Sequence, residues 1–205
     1  MDRINILIFG DSITYGVGDV EIGGWVNRLR LHYDDKYDYD CRIFNMGIPG
    51  EITEETLKRF EHECEFRYNK EQKNIIIFAV GINDTQDISG SDRVSLEKFE
   101  SNIRELITKT RSYLADILFI GLTNVDESKV VPIPWNPVKS YFNEKIIKYD
   151  NKMEEICKGE NVLYIKMHDC FSVNELYDGL HPTNEGHKKM YDRILKEIDI
   201  VINKN

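Results

Sequence analysis

The stretch INILIFGDSITYG, residues 4–16, runs from an apolar segment straight into a polar turn. Ile6 to Phe9 are continuously apolar, the run stops at Gly10, and Asp11 and Ser12 follow. An unbroken run of this kind reads as a strand covered on both faces. Four more such runs follow: CRIFNM (41–46), NIIIFAV (74–80), DILFIGL (116–122) and NVLYIKM (161–167). Between them, apolar residues recur at helical spacing. Leu57, Phe60, Cys64 and Tyr68 step by three or four, as do Leu96, Phe99, Ile103, Leu106 and Ile107, and later Met190, Ile194, Ile198 and Val201. Thr53 is read as the N-cap of the first of these helices, with Glu54 and Glu55 in its first turn. Less regular helices are expected over 25–33 and 141–157. Strand alternating with helix five times predicts a parallel sheet with helices on both faces. With no linker, repeat or low-complexity segment, one domain over residues 1–205 is expected.

Composition narrows the function. Apolar residues make up 41% of the chain and charged residues 31%, as in an ordinary globular protein. A formal net charge of -9 with no basic stripe argues against nucleic acid or an anionic membrane as partner. The first apolar run is too short for a membrane span or a signal core, so no stable membrane insertion and a cytoplasmic location are expected. Cys41, Cys64, Cys157 and Cys170 form no CxxC and no zinc spacing. They read as reduced thiols, with Cys41 and Cys64 in core positions.

In sheets of this class, ligands sit beyond the carboxyl ends of the strands. The turns there are GDSIT (10–14), NMGIPGE (45–51), GIND (81–84) and, past a short stretch after the fifth strand, DGLHP (178–182). Ser12 is either a helix cap or a nucleophile, and a nucleophilic serine needs a base and an oxyanion site. His181 has an acid three residues earlier, Asp178. In a tight turn that carboxylate reaches the imidazole Nδ1–H and leaves Nε2 free to take a hydroxyl proton. A DxxH by itself is weak, since Asp178 and Gly179 also make an ordinary turn. Gly50 can aim its N–H outward with no Cβ in the way, or merely turn the chain. Asn83 can donate an amide N–H to a developing oxyanion, or cap a turn with Asp84. The four turns fall where one pocket collects them, and that coincidence favours acyl-transfer chemistry. Asp11 is read as ordering the Ser12 turn, and His187 as packing or capping. His32, His62 and His168 are left without a role.

These blocks resemble the SGNH-hydrolase superfamily, the GDSL esterases and lipases. FGDSITYG, NMGIPG, GIND and DGLHP match its four blocks in order and cover nearly the whole chain, with Ile13 where the family name has leucine. The resemblance implies Ser12 as nucleophile, His181 as base and Asp178 as its orienting acid. It implies an oxyanion hole of the Ser12 and Gly50 N–H groups and the Asn83 side chain. It also implies a three-layer α/β/α sandwich on a five-stranded parallel sheet of flavodoxin-like order 2-1-3-4-5. The expected reaction is hydrolysis of a small acyl-ester substrate through an acyl-enzyme, with no metal or organic cofactor. A carbohydrate O-acetylesterase, a lysophospholipase or a thioesterase on the same site is the alternative. A catalytically dead ligand-binding protein on this fold is the non-enzymatic one. Oligomeric state is not legible.

The stretch TNVDESKVVPIPWNPVKSYF, 123–142, follows the fourth strand at the site edge. Pro132, Pro134 and Pro137 forbid a regular helix there. Val130, Val131, Ile133 and Trp135 are more apolar than a solvated loop requires. Either the stretch covers the end of the core, or it walls the Ser12 pocket with Trp135 as its substrate contact.

Overall fold

The computed structural model describes residues 3–204. In chain order its elements are β1 (Ile4–Gly10), α1 (Ser12–Tyr15), α2 (Trp25–Tyr37), β2 (Cys41–Gly47), α3 (Thr53–Arg67), β3 (Lys73–Ala79), a 3-10 turn (Ile82–Thr85), β4 (Asp87–Ile88), β5 (Ser91–Asp92) and α4 (Leu96–Thr110). Then come β6 (Ala115–Ile120), α5 (Glu127–Val130), β7 (Lys139–Ser140), α6 (Asn143–Gly159), β8 (Leu163–Ile165), a second 3-10 turn (Val173–Glu175) and α7 (Asn184–Asn203).

The five long-range strands pair in parallel in the order β2-β1-β3-β6-β8, the order 2-1-3-4-5 among the major strands. Gly10, Gly47 and Ala79 stand side by side in register. Three strands therefore end at one level, and the turns after them open onto the same edge. All seven residues of β1 are buried, as a central strand under helices on both faces requires. The outer strands depart from the expected full burial. Arg42 and Asn45 in β2 are exposed, and Leu163 and Tyr164 in β8 are half-buried, because an edge strand has a neighbour on one side only. Helices α2 and α7 pack together, as do α3 with α4 and α4 with α6, giving the two helical layers. Phe9, Phe60, Phe78 and Phe119 join sheet to helix in the core, with ring centroids 4.8–5.7 Å apart.

Two local expectations are corrected. Thr53 is the first helical residue of α3, not its N-cap, which is Ile52. The Thr53 hydroxyl and N–H both donate to the buried Asp84 carboxyl, so this side chain is not available to cap the helix. Glu55 does reach back, its Oε2 accepting from Ile52 N–H at 3.0 Å. The 123–142 stretch is also more ordered than its prolines imply. It carries α5, and β7 joins β4 and β5 in a small antiparallel sheet of order β5-β4-β7. All four cysteines are buried and free of disulfides. Among the described residues, no helix is long and apolar enough to cross a membrane.

Candidate active site

Ser12 sits where β1 hands over to α1. Asp11 is the N-cap, its Oδ1 accepting from Ile13 N–H at 2.9 Å, so Ser12 begins the helix rather than capping it. Burial pushes the Asp11 carboxyl up to about 7. Ser12 is only 6% exposed, because His181 lies against it.

His181 arrives on the turn that follows the second 3-10 helix. Asp178 Oδ1 accepts from the N–H groups of Leu180 at 3.0 Å and His181 at 2.9 Å, which builds the turn around the carboxylate. Gly179 within it has φ +93°, and a Cβ there would lie 2.7 Å from Lys129 Cβ. Asp178 Oδ2 meets His181 Nδ1 at 2.7 Å, and His181 Nε2 meets Ser12 Oγ at 2.8 Å. A carboxylate on Nδ1 selects the tautomer that donates there, which leaves Nε2 as acceptor for the serine hydroxyl. Burial works against the Asp178 carboxylate. The hydrogen bonds from the His181 ring and backbone outweigh it and hold its pKa below the usual range.

His187, read as packing or capping, ties this turn to the nucleophile's side of the fold. It is fully buried, its Nε2 donates to Val17 O at 2.9 Å, and its Nδ1 accepts from Trp25 N–H at 3.3 Å. Burial lowers its pKa, in keeping with an imidazole that must accept on one nitrogen. Arg28, ion-paired to buried Asp19 at 2.8 Å, adds a bond to Asn184 O at 3.1 Å.

Gly50 and Asn83 come from the turns after β2 and β3. Gly50 has φ +82° and open space where a Cβ would stand, and it lines the cavity. Asn83 Nδ2 donates to Glu51 O at 3.0 Å, and its Oδ1 accepts from Tyr141 OH at 2.7 Å. This pairing fixes which way the amide faces and leaves one N–H of Nδ2 uncommitted. The network continues. Gln86 Nε2 donates to Tyr141 OH, Arg93 Nη1 donates to Gln86 Oε1 at 2.9 Å, and Arg93 Nη2 donates to Gly50 O at 3.0 Å. A closed ring of hydrogen bonds thus holds the Gly50 and Asn83 donors relative to each other. Glu51 is itself anchored by a bidentate pair with Arg59, both contacts 2.6 Å.

Ser12, Gly50, Asn83, His181 and Trp135 line one cavity of about 380 Å³. Trp135 is 54% exposed and stacks on His181, ring centroids 6.1 Å apart, whereas Val130 and Ile133 are buried. The stretch 123–142 therefore does both things considered for it, core cover through Val130 and Ile133 and pocket wall through Trp135. The sequence reading missed Tyr141, Gln86, Arg93 and Lys139 as parts of the site. Tyr141 had been assigned to the next helix, and no motif marks the other three.

A chain of serine, imidazole and carboxylate on a cavity that Gly50 and Asn83 also line is an arrangement suited to acyl transfer. Comparison with known proteins agrees. The chain is 27% identical over 219 residues to the isoamyl acetate-hydrolyzing esterase of Saccharomyces cerevisiae, covering 97% of this chain and 87% of that one. The fold is shared with an acetylxylan esterase from Geobacillus stearothermophilus, at TM-score 0.72 and 20% identity over 95% of this chain and 93% of that one. An α/β hydrolase enzyme from the metagenome of Lake Arreo, Spain, matches at TM-score 0.73 and 18% identity, over 94% and 93% of the two chains. The family model for GDSL-like lipase/acylhydrolase matches residues 6–194, nearly the full length, and the chain belongs to that family of hydrolases acting on esters.

Proposed function

We propose that this protein is a serine esterase that cleaves carboxylic esters through an acyl-enzyme. The observation that carries the reading is the unbroken contact chain from Asp178 through His181 to Ser12, with Gly50 and Asn83 on the same cavity. Ser12 Oγ attacks the ester carbonyl carbon as His181 Nε2 takes its proton. The carbonyl electron pair moves onto oxygen, where the N–H groups of Ser12 and Gly50 and the free Asn83 N–H receive it. Collapse expels the alcohol, which takes the proton from His181. A water then attacks the acyl-Ser12 ester with His181 as base, and the carboxylic acid leaves. Asp178 stabilises the imidazolium formed in each half. Acetyl esters are the first substrates to try, since the yeast relative hydrolyses isoamyl acetate and a structural relative is an acetylxylan esterase. Four buried, unbridged thiols fit a reducing, cytoplasmic setting for this activity.

A fluorophosphonate probe tests the reading, because it reacts only with an activated serine. Stoichiometric labelling mapped to Ser12 is expected. A folded protein that takes up no label would be a binding protein on this fold.

Trp135 is expected to set acyl or alcohol preference. It is more than half exposed and its ring lies over His181, so Trp135→Ala removes a pocket wall rather than core. The variant should change the ranking of esters by chain length and leave Tm within a few degrees of wild type. A large fall in Tm with an unchanged ranking would place specificity elsewhere.

A further inference from the structure

Among the described residues no carboxylate lines the Ser12 cavity, whereas two cations do, Arg93 and Lys139. Both are half-buried. The two side-chain hydrogen bonds of Arg93 go to neutral oxygens, on Gln86 and Gly50, and it makes no ion pair among the described residues. Lys139 Nζ has no hydrogen bond and no ion pair among the described residues. Nearby lysines are different: Lys145 pairs with Asp92 at 2.5 Å and Lys129 with Asp126 at 3.2 Å. Acidic residues outnumber basic ones 36 to 27 in this chain, so carboxylate partners are not scarce. Asp84, which feels the Arg93 charge, is buried and held by Thr53, and it does not line the cavity. Burial, and then the Arg93 charge, lower the pKa of Lys139. Two like charges are thus held within each other's field, in a site partly withdrawn from water, with no carboxylate ion-paired to either.

We infer that the substrate ester carries a fixed anionic group, a carboxylate or phosphate, which Arg93 and Lys139 seat beside the reacting carbonyl. This rests on the esterase reading and narrows its substrate class. The Arg93 guanidinium offers a planar fork matched to two oxygens of such a group, and the Lys139 ammonium a mobile point charge. The chain's overall negative charge acts weakly on this choice, because it is screened within about 8 Å at physiological salt. Arg93 also supports Gly50, so Lys139 is the position at which charge is tested separately from the oxyanion site.

The test uses two pairs of esters whose members carry a carboxylate or a carboxamide at the same position, each rate taken relative to that ester's spontaneous hydrolysis. In para-acetoxybenzoate and para-acetoxybenzamide the alcohol part carries or lacks the anion. In monophenyl adipate and its terminal amide the acyl part does. Wild type is expected to favour the anionic member of at least one pair by roughly tenfold or more in kcat/KM, as a charged hydrogen bond supplies. Lys139→Met should erase most of that preference, Lys139→Glu should reverse it, and Lys139→Arg should restore it. Added salt should compress it. Equal turnover of both members in both pairs would overturn the inference and leave the esterase reading standing. Equal losses on anionic and neutral esters in Lys139→Met would also overturn it, by assigning Lys139 to the charge of the reaction itself. No turnover of any ester, with no fluorophosphonate adduct, would overturn the esterase reading and this inference together.

Discussion

Ser12→Ala is expected to lower kcat for ester hydrolysis by on the order of 10⁶-fold while the protein stays folded. The substitution removes one hydroxyl at the edge of an open cavity and one hydrogen bond to His181 Nε2, which water can replace. His181→Ala should cost about as much, because the members of such a unit do not act independently. Asp178→Asn should cost on the order of 10⁴, by favouring the wrong imidazole tautomer, and never more than His181→Ala. Steady-state kinetics beside thermal melts make the comparison. Near-normal turnover in Ser12→Ala would refute the acyl-enzyme route, and an Asp178→Asn enzyme slower than His181→Ala would refute the orienting role.

Asn83→Ala is expected to reduce kcat by roughly 10²–10³, about 3–4 kcal/mol of transition-state stabilisation, with little change in KM. The structure adds a cost that the motif alone does not show. The substitution strips Glu51 O of its donor and leaves the buried Tyr141 hydroxyl without an acceptor. A loss of about 1–3 kcal/mol in folding stability should accompany the kinetic loss. Rates must therefore be compared well below the variant's Tm. Tyr141→Phe keeps the Asn83 donor and removes the hydroxyl that aims it, which is also the acceptor of Gln86 Nε2. A smaller fall in kcat is expected there. If the whole effect of Asn83→Ala appeared in KM, Asn83 would bind substrate rather than the transition state.

What could be read from the chain in advance follows the range of each interaction. β1 is buried along its length and β3 at all but its two end residues, so both announce themselves as apolar runs and the parallel sheet was legible, whereas the strand order came from the resemblance to the family. The Asp178–His181 pairing was legible because it closes within one turn. The ring joining Asn83, Tyr141, Gln86, Arg93 and Gly50 was not. Asn83 and Tyr141 lie 58 positions apart, and Arg93 and Gly50 lie 43 apart, with no period to link them. β4, β5 and β7 are two residues each, too short to show alternation, yet β7 carries Lys139 to the cavity. Thr53 looked like a cap because its competing partner, Asp84, is 31 residues away. The cover over Ser12 was not legible either, since His181 comes 169 residues later.

The base and its orienting acid occupy four consecutive residues, and the segment that bears them is latched to the nucleophile's side by His187 and Arg28. Asp178 and His181 are therefore carried by one short segment and are positioned together rather than singly. An opening that lifted residues 178–187 would withdraw the imidazole and the carboxylate together and leave Ser12 with neither. Such sub-global openings are the ones that amide hydrogen exchange resolves. Protection in this segment, and not the melting of the sheet, would then set the temperature at which the molecule falls chemically silent.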